Sequence, residues 1–223
     1  PGQGDSVDYP AETIAEVVSL AAAGDNIFCL EGHTESITSS TALTLSKAGL
    51  KLIGMGYGNR RPTITISTAN TATINVTAAS ILVYNLIIVG NFLSIAAAFT
   101  LTTAKAFQCI GCDFKDTSGV LNFLNIFKST GAANTVDQLT VMDCSWNGLG
   151  TTSVNSFILT ANDIDGAVLK RNNVKLARTA TAAVLMTVTA GVLTNLQCTD
   201  NVAISQQTAD TGGGFINVGG TTS

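Results

Sequence analysis

The feature of this sequence that most limits its fold is a short pattern that returns six times along the chain. Each copy has an apolar residue, one gap, a second apolar residue, two gaps, a packing residue, one gap and a last residue that is usually apolar. The copies start at positions 50, 81, 107, 139, 167 and 196, which lie 31, 26, 32, 28 and 29 residues apart. A period of this size predicts stacked units that each contact only their neighbours.

Aligning the copies turns every position of the pattern into a column of stacked side chains. The four pattern positions are Leu50, Leu52, Met55, Tyr57; Ile81, Val83, Leu86, Ile88; Phe107, Cys109, Cys112, Phe114; Leu139, Val141, Cys144, Trp146; Ala167, Leu169, Asn172, Val174; and Leu196, Cys198, Asn201, Ala203. In a stack of parallel strands, equivalent residues of adjacent turns lie about 4.8 Å apart. We therefore predict an inward column of Met55, Leu86, Cys112, Cys144, Asn172 and Asn201, in which the two asparagines hydrogen-bond to each other.

A second apolar run follows most copies by about ten residues, for example Phe123 to Phe127, so each turn holds at least two strands. A period near 29 residues is too short for four-stranded propeller blades, which need about 40 to 45. Before the repeats, Ala11 to Ala23 has apolar residues at helical spacing. We expect this helix to cap the exposed strand edges at the N-terminal end of the stack. The predicted organisation is an N-terminal arm at 1–10 and a single β-helix domain at 11–223.

Four segments at the start of the chain resemble a known family. They are Ala11-Glu12-Thr13-Ile14, Ala23-Gly24-Asp25-Asn26-Ile27, Glu31-Gly32-His33-Thr34-Glu35 and Leu50-Lys51-Leu52-Ile53-Gly54-Met55-Gly56. This order of a helix, an apolar strand, a glycine, a short strand and a further apolar strand is similar to the first turn of pectin-lyase-like proteins. The resemblance implies an all-β, right-handed single-stranded parallel β-helix of about six coils with an N-terminal capping α-helix. Enzymes of that group are polysaccharide lyases and hydrolases.

Composition narrows the classes of partner. Charged residues make up 12% of the 223 positions and the net charge is -4, which does not suit nucleic-acid binding. The sequence contains no run of 18 or more apolar residues, so we predict no membrane span. Pro1 to Pro10 has no signal-peptide pattern. Four of the five cysteines occupy inward pattern positions and Cys29 lies in an apolar run. We interpret all five as small buried side chains with free thiols, and predict no metal and no cofactor.

One outward column offers a candidate for catalysis. Asp143, Arg171 and Asp200 occupy the same position of three successive copies and should stack beside one another. Paired carboxylates can carry out acid-base chemistry on polysaccharides, whereas a surface ladder of opposite charges has little energetic effect. An arginine between the carboxylates would lower their pKa values, which is wrong for a general acid. The only histidine, His33, is interpreted as structural or exposed. We therefore predict that the chain is not an enzyme, with a polysaccharide lyase or hydrolase as the alternative.

A second outward column is apolar. Ile53, Tyr84, Ile110 and Met142 follow one another on four successive copies, and Leu82 and Ile87 add to this strip. An exposed apolar strip is typical of an interaction surface. The alternative is that a loop of the same chain, such as Asp116 to Val120 or Asn147 to Ser153, covers it. We predict a contact between subunits, because solenoids that pack side by side form closed cyclic oligomers.

Low charge, an apolar outer strip and no convincing catalytic set together resemble bacteriophage virion structural proteins. The resulting hypothesis is a homotrimeric capsid decoration (cement) protein that stabilises the shell by non-covalent contacts. Its expected partners are its own copies and the major capsid protein, with Pro1 to Tyr9 as a gripping arm. Its expected location is the capsid surface of the virion, after assembly in the host cytoplasm. The alternative is a tail-spike or fibre segment that binds or cleaves host polysaccharide.

Overall fold

A computed structural model describes residues 8–150, 156–177, 184–205 and 215–219, and these residues form three parallel sheets of seven strands each. Consecutive strands of the chain enter different sheets, and each strand pairs in parallel with the strand one turn later. The described residues therefore form a parallel β-solenoid of about six turns with one α-helix, as predicted. Most of the predicted arm at 1–10 lies outside the described residues.

The three sheets run the length of the stack, and the nth strands of all three together are called rung n. The first sheet consists of Asn26–Cys29, Lys51–Gly54, Leu82–Tyr84, Gln108–Ile110, Thr140–Met142, Val168–Lys170 and Gln197–Thr199. The second consists of Thr34–Ile37, Thr63–Ile66, Ile87–Gly90, Asp113–Asp116, Ser145–Gly148, Asn173–Leu176 and Val202–Ser205. The third consists of Leu43–Leu45, Ile74–Val76, Phe99–Leu101, Asn125–Ser129, Ser156–Thr160, Met186–Val188 and Ile216–Val218. A small two-stranded sheet joins Ile164–Asp165 to Leu193–Thr194.

The core is the space that the three sheets enclose, and alternation along each strand fills it. Val83 lies in register with Leu52 and Cys109, and all three are fully buried. Their neighbours along the strands point outward, because side chains alternate between the two faces of a sheet. Aromatic rings fill the middle rungs: Phe99 and Phe127 stack with their centroids 5.5 Å apart. The repeat period thus places like residues above like residues in one continuous core.

The capping helix spans Ile14–Leu20, which is shorter than the predicted Ala11 to Ala23. Thr13 is the N-cap: its backbone is extended and its side chain accepts a hydrogen bond from the Glu16 amide at 3.2 Å. At the other end the backbone returns to an extended conformation at Ala21. The buried side chains of the helix are Ile14 and Val18, and the helix lies against rung 1 of the first and third sheets. The cap is therefore present, at the predicted end.

The first copy of the repeat departs from its predicted register. Met55 and Tyr57 were expected to face the core, but they are 44% and 76% exposed. After Gly54 the chain turns through Gly56 into a 3-10 helix at Gly58–Arg60, and re-enters the wall of the stack only at Pro62. The strand that aligns with the later copies is Thr63–Ile66, where Ile64 pairs with Ile88. An insertion of a few residues in rung 2 thus displaces both side chains to the surface.

The asparagine ladder is confirmed. The Asn172 side-chain amide donates to Oδ1 of Asn201 at 2.9 Å, and the Asn172 backbone amide donates to the same oxygen at 2.9 Å. One turn earlier, Oδ1 of Asn172 accepts from the backbone amide of Cys144 at 3.1 Å. At this corner of the stack, the side chain of each asparagine therefore provides hydrogen bonds that the backbone groups of the neighbouring turn need.

The cysteines behave as small core residues. Cys29, Cys109, Cys112 and Cys144 are buried, Cys198 is partly buried, and all five are free. The Cys144 and Cys109 sulfurs are 3.9 Å apart. Burial raises the pKa of the Cys29 thiol to about 12, so this side chain stays neutral.

In the described part of the chain, no helix is long and apolar enough to cross a membrane.

Candidate interaction surface

The predicted apolar strip lies on the outer face of the first sheet. Ile53, Tyr84, Ile110 and Met142 occupy one register position on rungs 2 to 5. Tyr84 is 43% exposed and the other three are partly buried by their neighbours. Adjacent rungs of a parallel sheet lie about 4.8 Å apart, so these four side chains form a continuous strip along the stack.

The strip is longer than the sequence predicted. Phe28 of rung 1 pairs with Ile53 and is 57% exposed, so it extends the column to five side chains. It was missed because rung 1 does not carry a recognisable copy of the repeat. The sequence carries no alternating signal there, because three apolar residues follow Asn26, and the alternation of exposed and buried side chains over Asn26–Cys29 is a property of the structure. We call Phe28, Ile53, Tyr84, Ile110 and Met142 the apolar column.

Leu82 borders the apolar column without belonging to it. It aligns with Lys51 and Gln108, two residues earlier on each strand, and is partly buried. The prediction that Ile87 adds to the strip is wrong, because Ile87 is 4% exposed in the second sheet. The loop after Asp116 lies beyond the second sheet, at its corner with the third, and its Leu121 and Phe123 pair with Leu93 and Ile95. Among the described residues, therefore, this loop leaves the apolar column open.

The predicted charged ladder forms in part. Arg171 binds Asp143 through two hydrogen bonds, from Nε to Oδ1 at 2.6 Å and from Nη2 to Oδ2 at 2.7 Å. The Arg171 guanidinium lowers the pKa of the Asp143 carboxyl, as expected, which makes Asp143 a poor general acid. Asp200 contributes a weaker electrostatic interaction that raises the pKa of Arg171. The pair is exposed and resembles an ordinary surface ion pair.

The backbone explains where this ladder stands. Asn85, Gly111, Asp143, Arg171 and Asp200 all have φ between +53° and +66°, at the corner between the first and second sheets. The chain makes the same left-handed turn there on rungs 3 to 7. The side chains at this corner column are thus held at equal spacing by the turn, whatever their chemistry.

A groove with a volume of about 700 Å³ lies at the N-terminal end. It runs between the segment that leads into the capping helix and the first strand of the first sheet, and Phe28 and His33 line it. The His33 Nε2 atom lies 3.3 Å from Oε2 of Glu35, and the same oxygen accepts the Ile14 amide at 2.8 Å. His33 therefore has a structural position, next to the carboxylate that receives the first amide of the helix.

Asn162, Asp163 and Asp165 form a further polar cluster near a turn. Its two aspartates accept hydrogen bonds from the next turn of the chain. Oδ1 of Asp163 accepts the Val192 amide at 2.6 Å, and Oδ1 of Asp165 accepts the Thr194 hydroxyl at 2.5 Å. Within 8–150 and the other described ranges, no three His, Cys, Asp or Glu residues are grouped so that they could hold a metal ion.

Comparison with known proteins adds little beyond the fold. No protein-family model matches the chain, and no curated protein matches its sequence. Among solved structures, a chain described as a rhamnogalacturonan lyase is similar at 13% identity with a TM-score of 0.46, and the match covers 96% of this chain and 59% of the lyase. This chain thus matches about three fifths of the lyase's length, and the likeness is too distant to transfer an activity. Fold and surface define a parallel β-solenoid whose first sheet carries an outward-facing apolar column.

Proposed function

We propose that this protein is a structural component of a bacteriophage particle that works by self-association, as a homotrimeric capsid decoration (cement) protein. The observation that carries the proposal is the apolar column. Five apolar side chains in register on adjacent rungs form a continuous strip along the first sheet. A strip of this kind, on a surface otherwise rich in Thr, Ser and Asn, suits contact with another protein surface.

Copies of this chain are the proposed occupants of the strip, because a solenoid presents it along its length. Three such faces around a threefold axis would remove the apolar column from water and leave the second and third sheets, whose outward side chains are mostly polar, outside. Contact with the major capsid protein and a location on the capsid surface belong to the same proposal. The lack of a convincing catalytic arrangement among the described residues supports a non-enzymatic function.

The oligomeric state of variants that introduce a charge into the apolar column tests this proposal. Ile110→Asp and Met142→Asp each place a carboxylate in the centre of the apolar column, and we expect either to weaken the oligomer at least tenfold. Gln108→Asp is the matched control, because Gln108 is exposed on the same strand in the neighbouring outward column. Mass would be measured by light scattering across a dilution series. A wild-type monomer, or variants that keep the wild-type mass, would refute the proposed contact.

A second candidate function is binding of host polysaccharide by a tail-spike or fibre segment. The groove at the N-terminal end favours it, since the exposed aromatic ring of Phe28 lies beside polar groups there. The number of copies in purified particles separates the two functions. A cement protein is present in many copies over the shell, whereas a tail-spike is present in only a few copies. Depolymerase activity that is lost in Asp143→Asn would decide for the polysaccharide function.

A further inference from the structure

Three cysteine side chains meet inside the solenoid, at the corner between the first and second sheets. Cys109 lies in the rung 4 strand of the first sheet, and Cys112 directly precedes the rung 4 strand of the second sheet. Cys144 directly precedes the rung 5 strand of the second sheet. All three are at most 2% exposed. The other two cysteines, Cys29 and Cys198, lie far away on rungs 1 and 7, so this corner concentrates the thiols of the chain.

Cys109 and Cys144 approach each other closely across the two rungs. Their Sγ atoms lie 3.9 Å apart, and Sγ of Cys144 also lies 3.5 Å from the carbonyl oxygen of Cys109. The Cys144 side chain is therefore turned toward the preceding rung. The Cys112 thiol interacts with both sulfurs, and it donates to the Ile110 carbonyl oxygen on its own rung at 3.6 Å. Because a disulfide bond is about 2.0 Å long, a shift of about 1 Å by each of the two sulfurs would join Cys109 to Cys144.

The backbone of the corner brings these side chains together. Cys109 pairs in register with Val141, and Cys144 follows Val141 by three residues. Between them the chain turns through a left-handed residue at Asp143, as it does one rung earlier at Gly111. Each turn directs the next inward side chain back toward the core, where Cys109 already points. The approach of the sulfurs therefore results from the repeated turn.

We propose that Cys109 and Cys144 are a disulfide site, which covalently joins rungs 4 and 5 when the chain folds in an oxidising environment, while Cys112 stays a free thiol. In a reducing environment both residues are thiols, as in this structure. The bond would link residues 35 positions apart and restrict the opening of the middle of the stack. The site is independent of the proposed function, because it lies inside the core and not on the apolar column.

The oxidant for this step is a small disulfide such as glutathione disulfide. The thiolate of one cysteine attacks it, which forms a mixed disulfide and releases one glutathione thiolate. The thiolate of the other cysteine then attacks the protein sulfur of the mixed disulfide, forms the Sγ–Sγ bond and releases the second glutathione. The two cysteines lose two electrons and two protons, and the oxidant gains them to become two glutathione thiols. Because the core encloses both sulfurs in the folded chain, the exchange takes place during folding, before the core closes.

Refolding of the full chain in a buffer of glutathione and glutathione disulfide tests the proposal. Free thiols are then alkylated, and the chain is mapped by mass spectrometry of its peptides without reduction. We expect one disulfide, between Cys109 and Cys144, with Cys29 and Cys112 alkylated. When the chain is kept in denaturant in the same buffer, the ratio of this disulfide to the two free thiols should be at least tenfold lower, because only the fold brings the two sulfurs together.

Serine variants identify the partners. Cys112→Ser and the matched control Cys198→Ser should both keep the bond between Cys109 and Cys144, because neither residue belongs to the proposed pair. Cys144→Ser should leave Cys109 alkylated. A refolded wild-type chain with five alkylated cysteines would overturn the proposal, and so would a disulfide that joins Cys112 to either neighbour. If Cys144→Ser does not fold, the peptide map of the wild-type chain still decides, because it reports the pairing directly.

Discussion

Burial decides how much a single polar residue contributes to this fold. Asn172 is 1% exposed and connects three consecutive rungs, because it bonds to groups of Cys144, Val141 and Asn201. The Asp143 and Arg171 side chains are 41% and 44% exposed, although their hydrogen bonds, at 2.6 and 2.7 Å, are shorter than those of Asn172. Water competes for the charged pair and not for the amide, so distance alone is a poor guide to stability.

We therefore expect Asn172→Ala to lower the free energy of unfolding by about 1 to 3 kcal/mol, because it leaves buried backbone groups without partners. Asp143→Asn should change it by less than about 1 kcal/mol at pH 7. Since Arg171 lowers the folded-state pKa of Asp143, this small contribution is present above the ordinary pKa of an aspartate and is lost as the pH falls. Urea unfolding followed by circular dichroism measures both; a larger loss in Asp143→Asn would contradict the ranking.

Asp116, whose buried carboxylate accepts hydrogen bonds from two loops, shows why some residues that organise the fold escape a sequence analysis. Its partners Phe123 and Leu149 lie 7 and 33 positions away, and neither belongs to the repeated pattern. In the sequence, Asp116 is one of several aspartates near turns, where this residue type is common. Only the closing of two loops over one carboxylate distinguishes it.

The repeat predicted the elements that share its period and missed those that do not. Strands of the first sheet on rungs 2 to 7 stack as the aligned copies require, and this placed the apolar column on one face. Rung 1 was not recognised as a copy because its strands at Asn26–Cys29 and Thr34–Ile37 are separated by a turn at Gly32, which interrupts the spacing. The insertion before Thr63–Ile66 interrupts the spacing in the same way, so the register predicted for rung 2 was wrong after Gly54.

The capping helix protects the free edges of rung 1, and one substitution tests this. Val18 is 4% exposed and packs on the core, so Val18→Asp should detach the helix and promote aggregation through the exposed strand edges. Leu20→Asp is the matched control on the same helix, because Leu20 is 66% exposed. Size-exclusion chromatography with light scattering separates the outcomes. Equal behaviour of the two variants would show that the helix is dispensable.

For the whole molecule, stacking means that stability varies along the axis. Inward residues of the middle rungs, such as Phe114 and Phe127, are fully enclosed, whereas Cys198 and Ala203 on rung 7 are only partly buried. Because each rung of a solenoid contacts only its neighbours, opening should begin where burial is incomplete.

We expect amide protection to decrease from the middle rungs toward rung 7. The Val141 and Phe114 amides should exchange most slowly, and those of Thr199 and Ile204 at least tenfold faster, because local opening where side chains are incompletely buried disrupts fewer contacts. Native-state hydrogen exchange of the intact chain measures the gradient. Uniform protection from rung 1 to rung 7 would instead indicate one cooperative unit.

The corner column has a consequence for how such a chain can be redesigned. Its positive φ is adopted by asparagine, glycine, aspartate and arginine alike, so the turn accepts many side chains at a modest conformational cost of about 1 kcal/mol or more. Rungs 5 to 7 therefore offer a solvent-facing row of three attachment points on a fixed lattice of about 4.8 Å. Substitutions at Asp143, Arg171 and Asp200 could display catalytic groups, metal ligands or recognition peptides in a chosen order. The side chains at these positions would then be exchanged at fixed spacing while the backbone of the solenoid stays the same.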